Sequence, residues 1–124
     1  HLSLGINYPN TADKKLNPGN NLGGDIFIHG DCVSIGCIPL TDAVIEELYL
    51  LSVEARNNGQ RKIPVHIFPF KMNDNNLNTA VKTLEDDKLK KFWMNLKDGY
   101  QKFEKTKKLP SVKVASDGKY LFSN

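Results

Sequence analysis

Leu2, Leu4, Ile6 and Tyr8 alternate with small or polar neighbours, the two-residue period of a strand with one buried face. Pro9 and Asn10 end it, and the stretch from Asn17 to Gly24, with three Asn, one Pro and three Gly, reads as a loop. Asp25-Ile26-Phe27-Ile28-His29 is a short apolar run closing at His29 and Gly30, which predicts a buried strand. From Thr41 the period lengthens. Val44, Ile45, Leu48, Leu51 and Ala55 fall on one helical face, with Thr41 as N-cap, Asp42 in the first turn and Gly59 as the stop. Ile63, Val65, Ile67 and Phe70 form a further strand candidate, which Pro64 and Pro69 confine to an edge or a bend. Its alternation sets His66 opposite the apolar neighbours, at the surface or rim. Asp86 to Lys107 carries Leu89, Phe92, Trp93, Leu96, Tyr100 and Phe103 at helical spacing, the strongest amphipathic pattern in the chain, and Pro110 stops it. Val112, Val114, Tyr120 and Phe122 then flank Asp117-Gly118, a dipeptide favoured in two-residue hairpin turns. Strands with two helices define an α+β class.

At 124 residues, with 40% hydrophobic and 25% charged positions, the chain fits one domain spanning residues 1–124 with a single core. Its opening inside a strand reads as an N-terminally incomplete domain. No apolar run approaches the roughly 18 residues that a membrane span needs, so no membrane span is expected. The net charge of +3 is mild, and fifteen of the seventeen basic residues are Lys, which leaves only Arg56 and Arg61 for bidentate phosphate or base contacts. No nucleic-acid partner is expected. Two cysteines cannot form a disulfide-dense scaffold. No charged and apolar leader opens the chain, so any export signal has been removed or left out, and the first residues fix no compartment.

The segment that carries chemistry is His29-Gly30-Asp31-Cys32-Val33-Ser34-Ile35-Gly36-Cys37-Ile38-Pro39, immediately before the Thr41 helix. A thiol near pKa 8.5 needs a base to become a nucleophile at neutral pH, and a neighbouring imidazole is the usual one. His29 and Cys37 stand eight positions apart, with Gly30 and Gly36 letting the chain fold back toward the roughly 3 Å that proton transfer needs. The following helix start favours thiolate and oxyanion, although Ile38 to Leu40 intervene. Spacing alone leaves other readings open. His29 fits a structural residue at a strand end, and Cys37 a small buried hydrophobe. A Cys32–Cys37 disulfide would close a six-residue loop and add about 2 kcal/mol on the chain-entropy estimate. A zinc site would assemble His29, Cys32, Cys37 and His66, but no pair of them has tight metal-ligand spacing. His1, at the terminus, is given no role.

The run from His29-Gly30 to Ser34-Ile35-Gly36-Cys37 resembles the active-site signature of the L,D-transpeptidase (YkuD-type) catalytic domain, in particular its YafK-like branch. The resemblance continues upstream in Leu4-Gly5-Ile6-Asn7-Tyr8-Pro9-Asn10 with Asp13 and in Gly24 to Ile28. Downstream it includes Val65-His66-Ile67-Phe68-Pro69-Phe70 and the helix with Phe92, Trp93, Asn95, Leu96, Lys97, Gly99 and Tyr100. It implies a mainly β sheet or sandwich, with a helix after the catalytic cysteine, a long C-terminal amphipathic helix, and family strands absent before Leu2. It also implies a peptidoglycan-modifying enzyme of the bacterial cell envelope, periplasmic or otherwise extracytoplasmic, that needs no cofactor and no metal. Such an enzyme attacks the amide at the L-centre of diaminopimelate in a stem peptide, releases D-alanine and passes the acyl group from a thioester to an amine. Carried onto this chain, Cys37 is the nucleophile, His29 the base, the Gly30 carbonyl the group that orients His29, and Ser34 a hydrogen-bonding support. The amides of Gly36 and Cys37 form the oxyanion hole. The chain departs from the wider family at Ile35, where a second histidine is usual, and at Ile38-Pro39-Leu40, which lacks the family's arginine. The rival expectations are a cysteine amidase that hydrolyses a diaminopimelate linkage, such as one holding a lipoprotein to the wall, and a catalytically silent wall-binding module.

Overall fold

The computed structural model describes residues 2–124, and His1 lies outside the described residues. In chain order the elements are β1 (Ser3–Gly5), α1 (Thr11–Leu16), β2 (Phe27–His29), β3 (Ile38–Pro39), α2 (Asp42–Asn57), α3 (Asp74–Lys82), α4 (Asp87–Thr106), β4 (Ser111–Val114) and β5 (Tyr120–Ser123). The class is α+β. Helix outweighs strand among the described residues, which departs from the mainly β expectation. Strands here run only two to four residues, because Gly- and Pro-rich stretches repeatedly leave the ladder. The described residues divide into two compact units, one of residues 2–10 with Asn21–His66, the other of Thr11–Asn20 with Ile67–Asn124.

In the first unit, β2 is the central strand of a three-stranded sheet. β1 pairs with it antiparallel, Leu4 opposite Ile28, and β3 pairs parallel, with Ile28 opposite Ile38 and His29 opposite Pro39. The predicted alternation holds along the first strand: Leu2, Leu4, Ile6 and Tyr8 are half-buried and Ser3, Gly5 and Asn7 exposed. Tyr8 donates its hydroxyl to the Leu22 carbonyl at 2.9 Å, anchoring the loop that returns to β2. Thr41 has the extended N-cap backbone, but its hydroxyl makes no capping bond. Gly59 ends the α2 region at φ +94°, as its position predicts. The expected α2 face turns in only partly: Ile45 is fully buried and Leu48 and Ala55 half-buried, whereas Val44 and Leu51 stay exposed.

The second unit is built on α4. Asp86 caps it by accepting the Leu89 amide at 3.0 Å, and Lys107 closes it in the left-handed region, so the helix matches its predicted bounds. Phe70 stacks edge-on against Trp93, and Phe68 against Tyr100, each ring pair about 5 Å apart. Gly99 is buried under Phe122, and a Cβ there would come within 2.5 Å of the ring. The β4–β5 hairpin differs from the two-residue turn. The Ala115 amide donates to the Lys119 carbonyl at 2.9 Å, so Ser116, Asp117 and Gly118 form a three-residue loop, with Gly118 at φ +91°. α1 and α3 add two helices to the two expected. Asn73 caps α3 by accepting the Asn76 amide at 2.8 Å, and Leu77 is its buried anchor. No strand forms between Ile63 and Phe70, where Pro64 and Pro69 remove two amide donors.

Candidate functional site

The sheet of the first unit is assembled around the end of β2. Ile28 is buried beneath it, and His29 is the strand's last residue, half-buried. The chain leaves at Gly30, makes an exposed excursion through Asp31 to Gly36, and comes back as β3 alongside the strand it left. The Leu40 amide donates to the His29 carbonyl at 2.7 Å, closing that excursion immediately before α2. Cys37 lies in a bend one residue before the first ladder pair, outside β3. Cys37 is half-buried, and its sulfur lies 3.9 Å from the Asp25 carbonyl.

His29 Nδ1 contacts the carbonyl of Gly30. A carbonyl can only accept, so Nδ1 carries the hydrogen and the lone pair falls on Nε2, which has no partner among the described residues. Gly30 itself is buried, because a Cβ there would fall onto Asp42 Oδ1 and within 3.2 Å of Ile45 Cγ2. Asp31 follows in the left-handed region at φ +75°. Its amide donates to Asp42 Oδ1 at 2.9 Å, and its own Oδ1 accepts the Cys32 amide at 2.7 Å.

Ser34 Oγ accepts the Gly36 amide at 3.2 Å within the loop. The same bond occupies one of the two amides expected to face an oxyanion. Gly36 has φ +134°, open to glycine alone. Cys32 is exposed, and both cysteines are free thiols. His29, Cys32, Cys37 and His66 do not assemble as metal ligands: among the described residues no three His, Cys, Asp or Glu side chains converge in a metal-binding arrangement. His66 differs from its expected place, being half-buried while Val65 and Ile67 on the alternate side are exposed. Its burial holds the imidazole pKa below the ordinary 6.5. In sequence Asp42 reads only as a first-turn helix carboxylate. Nothing in the spacing signals that it reaches back eleven positions to the backbone beside His29.

Among the described residues no helix is long and apolar enough to cross a membrane. No family model matches the chain. Over 123 residues, 99% of its length, the chain is 38% identical to the protein of Escherichia coli (strain K12) named "Putative L,D-transpeptidase YafK", and identical to the same extent to the protein of that name in Escherichia coli O157:H7. The matched stretch is 47% of each relative, so the chain spans about half the length of the curated relatives it matches. The YafK-like resemblance drawn from the motifs therefore extends over nearly the whole chain.

Proposed function

Since the chain follows YafK along 99% of its length, we propose that it belongs to a single L,D-transpeptidase-like catalytic domain of YkuD type. The domain acts in the bacterial cell envelope on the diaminopimelate L-centre of peptidoglycan stem peptides. The observation that supports this reading is the contact of His29 Nδ1 with the Gly30 carbonyl, which leaves Nε2 available as a base at the end of the strand whose neighbour Cys37 immediately precedes.

In this mechanism Nε2 of His29 takes the Cys37 proton, and the sulfur attacks the carbonyl of the diaminopimelate–D-alanine amide. The tetrahedral oxyanion faces backbone amides at Gly36 and Cys37, the first of them released from Ser34 Oγ. Collapse breaks the C–N bond, and the His29 imidazolium returns its proton to the departing D-alanine amine. The resulting Cys37 thioester is then opened by an acceptor amine, whose excess proton goes to His29. Water in place of the amine gives hydrolysis. Ile38-Pro39-Leu40, without the family's arginine, favours keeping the amidase as the second reading, because the group that would bind the stem-peptide carboxylate is missing.

The test is incubation with a disaccharide tetrapeptide. D-alanine should appear, together with a transient mass adduct on Cys37 that is absent in Cys37→Ala and retained in Cys32→Ser. His29→Ala should slow adduct formation by about a hundredfold. Incorporation of an added diaminopimelate peptide identifies transfer. Cleavage of a diaminopimelate-to-lysine linkage with the tetrapeptide untouched identifies the amidase. Binding with no reaction of Cys37 leaves a silent wall-binding module and overturns the enzyme reading.

A further inference from the structure

The carbonyl of Gly30 and the amide of Asp31 belong to one peptide unit, which is planar with its C=O and N–H pointing in opposite directions. On one side that unit meets His29 Nδ1, and on the other it is held by Asp42 Oδ1 at 2.9 Å. Whatever fixes the amide therefore fixes the carbonyl. The unit is not at rest by itself, because Asp31 sits at φ +75°, the left-handed region that a residue with a Cβ enters only against steric crowding. Asp42 is well placed to hold it there. It stands in the first turn of a sixteen-residue helix, one turn before the fully buried Ile45. Gly30 supplies the space, since any Cβ would occupy the place of Asp42 Oδ1.

We propose that Asp42 is a positioning residue, whose carboxylate clamps the Gly30–Asp31 peptide and through the Gly30 carbonyl sets the tautomer and orientation of His29. The consequence for Cys37 rests on the reading of His29 and Cys37 as the acyl-transfer pair. The effect on His29 does not, because the tautomer of an imidazole is observable without any reaction.

Two readouts on the whole chain keep these apart. The first is the nitrogen chemical shifts of His29 in isotopically labelled protein. Wild type should show the Nδ1–H tautomer. Asp42→Ala, which has no acceptor, should lose it toward a mixture. Asp42→Asn, which keeps an oxygen for the Asp31 amide, should retain it. Asp42→Glu keeps the charge and the helix start but displaces the acceptor, so it should behave like Asp42→Ala and carries the test if the alanine variant does not fold. The second readout is the pH profile of Cys37 alkylation, measured in a Cys32→Ser background. At neutral pH the rate should fall by about tenfold in Asp42→Ala and Asp42→Glu, and stay near wild type in Asp42→Asn. An unchanged His29 tautomer in folded Asp42→Ala or Asp42→Glu overturns the proposal, as does an equal change in Asp42→Asn. A tautomer that responds as expected, combined with a Cys37 profile indifferent to His29→Ala, supports the role of Asp42 and refutes the acyl-transfer pair instead.

Discussion

His66 shows how one side chain ties burial to pH. Its imidazole is half-buried and its pKa is lowered from 6.5 by the loss of solvent. The neutral form is thus favoured in the folded state, while in the unfolded chain the ring protonates at its ordinary value. Between the two pKa values the unfolded state binds more protons, so stability conferred by neutral His66 is complete above pH 6.5 and is lost as pH falls through the folded-state pKa. His66→Gln should remove that contribution. Urea midpoints followed from about pH 8 down to about pH 5 should fall less steeply in the variant than in wild type. Parallel profiles would show that the ring is hydrated in solution. The sequence made His66 visible as one half of an alternation but chose the wrong half to bury, because period two identifies the two faces of a segment without saying which one meets the core. His29 and Cys37 were more legible. A histidine ending an apolar strand and a cysteine after a glycine are local signals, whereas the parallel ladder between β2 and β3 was not legible, because a short connection favours an antiparallel hairpin. Asp42 was illegible in that role because its partner is a backbone amide, which leaves no trace in sequence.

Among the elements, α4 was the most readable, since aspartate before it, proline beyond it and six large apolar residues at helical spacing all agree. α3 was hidden by its composition. Asn73, Asn75, Asn76 and Asn78 read as loop, and Leu77 is the helix's only fully buried residue, yet Asn73 is its N-cap. The hairpin was placed correctly, and its loop came out one residue longer than expected because Ala115 pairs with Lys119 outside the turn. That hairpin docks on α4 through two specific contacts. Asn95 Nδ2 donates to the Tyr120 carbonyl at 2.9 Å while its Oδ1 accepts the Tyr120 amide at 2.8 Å, so one side chain satisfies both backbone groups of a strand residue. One turn further along the helix, Gly99 lets the Phe122 ring lie directly on the backbone. An alanine at position 99 has better helix propensity by nearly 1 kcal/mol, but its methyl would enter the ring at 2.5 Å. Overpacking of this kind costs about 1–3 kcal/mol. Gly99→Ala should therefore lower the thermal or urea midpoint despite the gain in propensity, and a raised midpoint would mean that Phe122 swings away freely.

Among the described residues few side chains are fully buried: Ala12, Ile45, Met72 and Leu77 carry almost no exposure, and Ile28 is 9% exposed. The α+β class was readable, but the balance of helix and strand was not, because strand length depends on pairing partners that one chain's periodicity cannot count. The segment from Ile63 to Phe68 makes the point. Its alternation is that of a strand, yet its backbone amides find no backbone acceptor among the described residues, and Ile63 and Val65 are each 47% exposed. Protection against hydrogen exchange depends on how long an amide stays bonded, and the free energy of opening rises with the packing around it. The amides of α4 and of the β4–β5 ladder, bonded along runs of four to twenty residues, should accordingly exchange slowest. Those of β2, paired over three residues with β1 and over two with β3, should be intermediate. The exposed loop from Asp31 to Gly36 and the segment from Ile63 to Phe68 should exchange at close to unprotected rates. Native-state exchange read by mass spectrometry on overlapping peptides separates these classes. Slow exchange at Val65 and Ile67, matching that of β2, would require a strand partner for this segment in solution and would sink the ranking at the point where sequence and structure differ most.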